Sequence, residues 1–119
     1  IIGYSWGGDA AFDTAAHLNG NTNSFSIKYT AYIDAVNNPY NPVHVSQDQR
    51  PTNTLYHANY YQRTGYSILN LRGDAIVNPP GANYETNLTA AVITHVNIDD
   101  LDNVRNGIFS SVTANLDVP

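Results

Sequence analysis

An α/β fold, with an open mixed sheet flanked by helices, is predicted by three observations on the 119-residue sequence. An apolar, β-branched start, Ile1-Ile2, runs into a glycine-bordered corner and then into a helix of small residues. Short segments rich in Tyr, Ile, Thr and Val follow, separated by connections rich in Pro and Asn. An amphipathic helix comes last.

Each element has its own warrant. Ile1-Ile2 reads as the end of a strand that Gly3 terminates. From Gly8 to Leu18, the residues Ala11, Phe12, Ala15, Ala16 and Leu18 recur at three- and four-residue spacing, which predicts a helix with one closely packed face. Asn19-Gly20-Asn21 stops it, with Gly20 as a left-handed cap. Ser26 to Val36 predicts the second strand, with Asp34 near its C-terminal end. Residues 37–54 carry three prolines and read as a long irregular segment, a candidate lid by its length. Leu55 to Gln62 predicts a third strand, and Ile68 to Val77 and Ala82 to Leu88 predict shorter ones around the turn Pro79-Pro80-Gly81. A final helix is expected from Asp99 to about Val112, with Asp99 and Asp100 as caps and Leu101, Val104, Ile108 and Phe109 as its apolar face. No internal repeat or domain boundary interrupts the chain, so one domain over 1–119 is expected.

Composition excludes several classes of function. Charged residues are only 13% and apolar ones 42%, a balance that packs a core and does not sustain disorder. The formal charge is −5, and the five basic residues, Lys28, Arg50, Arg63, Arg72 and Arg105, are scattered. Phosphate backbones need basic side chains gathered on one face, so no nucleic-acid partner is expected. Without cysteine there is no thiolate chemistry. No apolar run has the length of a membrane span, so no stable membrane insertion is expected. Abundant Asn, Tyr and Thr with few Lys and Glu match exported, loop-rich proteins, and Asn87-Leu88-Thr89 is a glycosylation sequon. The four histidines show no His-x-x-x-His pairing, so no metal is expected, and the serine chemistry read next requires no cofactor.

The chemistry concentrates at Gly3-Tyr4-Ser5-Trp6-Gly7, which fits G-x-S-x-G with a strand before it and a helix after it. Glycines on both sides of Ser5 would let strand and helix backbones approach where a Cβ would clash. The corner would then lift the hydroxyl out of the sheet beside the amide of Trp6. A serine hydroxyl needs a base, and His95 lies after every candidate acid in the chain. Asp34 can orient that histidine, with Asp48 and Asp74 as rivals and His57 as a reserve base. His17 and His44 fall in the first helix and the long segment. Glycines before a helix also cradle phosphates, but here no lysine follows them. One ring of the Tyr60-Tyr61 pair could border a cleft.

These residues resemble an α/β-hydrolase of the lipase, esterase or thioesterase kind. Gly3-Tyr4-Ser5-Trp6-Gly7-Gly8 is similar to its nucleophile elbow. Tyr32-Ile33-Asp34-Ala35-Val36 is similar to the strand end that bears the acid, and Thr94-His95-Val96-Asn97-Ile98-Asp99 to the loop that presents the histidine. The resemblance covers nearly the whole chain as the C-terminal part of that fold, with a mostly parallel sheet. It implies a serine hydrolase acting on a small-molecule or lipid ester, or a thioester, through Ser5, Asp34 and His95, with Trp6 and Tyr4 at the oxyanion and substrate. The alternative is a non-catalytic binding or structural domain on the same fold. The family's first strands and second oxyanion donor have no counterpart in the sequence. With no initiating methionine, this predicts a part of a longer protein, one that oligomerises or needs its missing half.

Overall fold

The computed structural model describes residues 1–20, 25–37, 47–64 and 71–116. In chain order they form β1 (Ile2–Tyr4), α1 (Gly7–Gly20), β2 (Ile27–Ile33), β3 (Thr54–Tyr61), β4 (Tyr84–Asn87), a 3-10 turn (Ile98–Asp100) and α2 (Asp102–Asn115). The strands make one sheet in the order β1-β2-β3-β4, and all three pairings are parallel. The register sets Tyr4 beside Ile33 and Ile33 beside Tyr60, so the C-terminal ends of β1, β2 and β3 lie in a row.

Parallel sheets are stable when both faces are covered, and β2 is built for that. Its odd residues Tyr29, Ala31 and Ile33 join Ala58, Tyr60, Ile98 and Val104 in a core under α2. On the opposite face Tyr32 packs with Ala11 and Ala35 under α1. Ile98 and Val104 are completely buried, each stabilising the fold by about 1.5–3 kcal/mol. β1 and β4 are the edge strands of the described sheet, and Ile1 and Ile2 at the β1 edge are 39% and 50% exposed. Among the described residues, no helix is long and apolar enough to cross a membrane.

Several expectations are corrected. The strand expected over 68–77 is absent from its described part, residues 71–77. Side chains take the backbone groups a ladder would use: Gly73 N–H donates to the Asp34 carboxylate, and the Asp74 carbonyl accepts from Asn59. Gly20 ends α1 without adopting a positive φ. Ala16 is exposed, and α1 buries the narrower set Gly8, Asp9, Ala11 and Ala15. Asp99 and Asp100 lie in the 3-10 turn and do not cap α2, whose N-cap is Leu101 in extended conformation. Phe109 is 73% exposed, because α2 packs through Leu101, Val104, Ile108 and Val112 instead. Half of the expected lid, residues 38–46 with His44, lies outside the described residues.

Candidate active site

Ser5 stands directly after β1 with φ 55°, in the left-handed region. That conformation costs an L-residue roughly 1–2 kcal/mol, and the surrounding backbone holds it there. Ser5 N–H donates to the Ile33 carbonyl at 3.1 Å, while its carbonyl accepts from Gly8 N–H at 3.0 Å and Val36 N–H at 3.2 Å. The glycines divide unequally. A Cβ on Gly3 would sit 2.2 Å from the Gly7 carbonyl oxygen, and one on Gly8 2.3 Å from the Ala35 Cβ. A Cβ on Gly7 would meet nothing within 4 Å. Gly3 and Gly8 therefore permit the close crossing of β1, α1 and the residue after Asp34; the expectation that both glycines of the G-x-S-x-G spacing are sterically required holds only for Gly3.

Asp34 repeats the pattern one strand over. It follows β2 with φ 46°, and its N–H donates to the Tyr60 carbonyl at 2.7 Å. Its carboxylate is fully buried, where an ion survives only with hydrogen-bond partners. Oδ1 accepts from the main-chain N–H of Gln62 at 3.1 Å and of Gly73 at 2.6 Å. Oδ2 accepts from the Gln62 side-chain amide at 2.6 Å and lies 2.7 Å from His95 Nδ1.

His95 is carried by the turn that leads into α2. Asn97 Oδ1 accepts from Thr94 N–H at 2.7 Å, and the N–H groups of Asn97 and Ile98 both return to the Thr94 carbonyl. Buried Ile98 pins this turn to the core. With Nδ1–H donating to Asp34, Nε2 is left to accept from the Ser5 hydroxyl, 2.7 Å away. Residues 5, 34 and 95 thus form one continuous hydrogen-bonded line. Tyr4 closes it from the side: its ring stacks on the imidazole with centroids 5.3 Å apart, and its hydroxyl donates to the His95 carbonyl at 2.5 Å. Burial first, then the negative charges of Asp99, Asp34 and Asp100, raise the Tyr4 pKa, which keeps that donor protonated.

The other candidates lie elsewhere. Trp6 is 42% exposed in the corner beside Ser5. Asp74 pairs with Arg63 and Gln47, and Asp48 accepts from the Gln49 amide, so among the described residues Asp34 is the carboxylate that meets the imidazole. His57 is completely buried against Thr30 and Tyr32, and His17 is exposed on α1. Tyr60 belongs to the core under α2, leaving its ring no open cleft to border. Sequence reasoning missed Gln62 and Gly73. Gln62 had one signal, since it directly follows β3 as Ser5 and Asp34 follow β1 and β2. Compared with protein-family models, with curated proteins and with solved structures, the chain matches none.

Proposed function

We propose that this chain is a serine hydrolase of α/β-hydrolase type that cleaves carboxylic ester or thioester bonds through an acyl-enzyme. One observation carries the reading: the unbroken line Ser5–His95–Asp34, with 2.7 Å at each link, assembled from residues up to 90 positions apart. Its position agrees, because open α/β sheets gather their ligands beyond the carboxyl ends of the strands.

Ser5 Oγ attacks the substrate carbonyl as His95 Nε2 takes its proton, and Asp34 stabilises the imidazolium and fixes its orientation. The carbonyl oxygen becomes an oxyanion. The N–H of Trp6, at the start of α1, is the donor assigned to it, where the helix N-terminus also favours negative charge. The carbon–oxygen or carbon–sulfur bond then breaks, and His95 returns the proton to the departing alkoxide or thiolate. Water, deprotonated by His95, releases the acid from Ser5.

The test is direct. A fluorophosphonate probe is expected to label Ser5, and p-nitrophenyl acetate turnover to fall by about 10⁴-fold in Ser5→Ala or His95→Ala. Equal turnover in Ser5→Ala and the parent chain, with no labelling, would instead establish a non-catalytic domain.

A further inference from the structure

We infer that Gln62 is a positioning residue for the hydrolytic reaction: a neutral, two-point clamp that sets the angle of the Asp34 carboxylate and, through it, of the His95 ring. The inference rests on the hydrolase reading of this site. An aspartate can rotate about its Cβ–Cγ bond, and a ring held by one oxygen would swing with it. Gln62 prevents this by gripping both oxygens, with its main-chain N–H on Oδ1 and its side-chain amide on Oδ2. The second hydrogen of the same amide donates to the Leu71 carbonyl at 3.2 Å. Asp34 Oδ2 and the Leu71 carbonyl are both acceptors, so the amide nitrogen and not its oxygen must face Asp34. Gln62 is completely buried, and its place just past β3 puts it in the row that begins with Ser5 and Asp34.

The residue type matters as much as the place. A lysine or arginine would hold the carboxylate equally well but would neutralise the charge that the imidazolium needs. An amide donates without adding charge. It also shares Oδ2 with His95, so it moderates the pull of Asp34 on the Nδ1 proton.

The experiment measures ester hydrolysis against pH for the full chain, for Gln62→Met, for Gln62→Glu and for Ser5→Ala. Gln62→Met is expected to lower kcat by about ten- to hundredfold, with KM within twofold. Its acid limb should move to higher pH, because an unmoderated carboxylate favours the protonated ring. Gln62→Glu should work while its new carboxyl keeps a proton to donate. It should then fail as that proton leaves, producing an alkaline decline that the parent chain lacks. If Gln62→Met does not fold, the Gln62→Glu profile decides alone. Parent-like kcat and pH profiles in the Gln62 variants, with Ser5→Ala inactive, would overturn the clamp and leave the hydrolase reading intact. Turnover that survives Ser5→Ala would overturn both.

Discussion

On the proposed hydrolase reading, Tyr4 adjoins the nucleophile Ser5 but serves the base His95 instead. The strand places Tyr4 next to Ser5, yet its ring and hydroxyl are spent on His95, one by stacking and the other on the carbonyl. Apart from Ser5 at Nε2, His95 is therefore held at three places: Nδ1 by Asp34, the ring face by Tyr4, and the backbone carbonyl by the Tyr4 hydroxyl. Removing only the hydroxyl separates these effects. A neutral hydrogen bond contributes about 1 kcal/mol, so Tyr4→Phe should lower kcat by roughly fivefold and leave KM unchanged. Tyr4→Ala should lower it further by freeing the ring face. Steady-state kinetics on the two variants check this, and a Tyr4→Phe variant with parent kcat would show that stacking alone orients the proposed base.

At the scale of elements, a parallel sheet puts three consecutive strand ends side by side, and the site uses each of them. Ser5 follows β1, Asp34 follows β2 and Gln62 follows β3, while the histidine arrives from the turn before α2. The same sheet leaves β1 at an edge, where an apolar, flat strand is a template for pairing with another chain. Exposed Ile1 and Ile2 sharpen that tendency. Sedimentation at micromolar concentration is expected to show species heavier than the 13.0 kDa chain, and Ile2→Lys should shift them toward the monomer. A monodisperse monomer would refute this. The elements that the sequence made legible share a physical cause. The corner at Ser5, β2, β3 and α2 announce themselves through local periodicity and glycine spacing. Segment 71–77 did not, because its apolar residues mimic a strand while its backbone is bound by side chains from residues 34 and 59. The clamp at Gln62 was illegible for a similar reason. A glutamine after a strand has no pattern of its own, and its role exists only once residues 28 and 9 positions away converge on it.

The whole molecule should also be sensitive to acid through a group outside the site. His57 is completely buried in β3, with Nδ1 2.8 Å from the Thr30 hydroxyl and the Tyr32 ring edge-on at 4.6 Å. Burial, reinforced by the positive charge of Arg50, lowers its pKa to about 3. An unfolded histidine titrates near 6.5. Between those values the unfolded chain binds a proton that the folded chain excludes, so stability rises with pH across the window, by up to about 1.4 kcal/mol per pH unit. The contribution is complete above about pH 6.5 and is lost progressively as the pH falls toward 3. His57→Gln keeps a polar partner for Thr30 but removes the titration. It should therefore melt below the parent at neutral pH and follow a flatter curve into acid, closing the gap. Other groups titrate in the same range but are common to both proteins, so the difference between the two melting curves isolates residue 57. Curves that stay parallel from pH 7 to pH 4 would mean that His57 accepts its proton without unfolding the sheet around it.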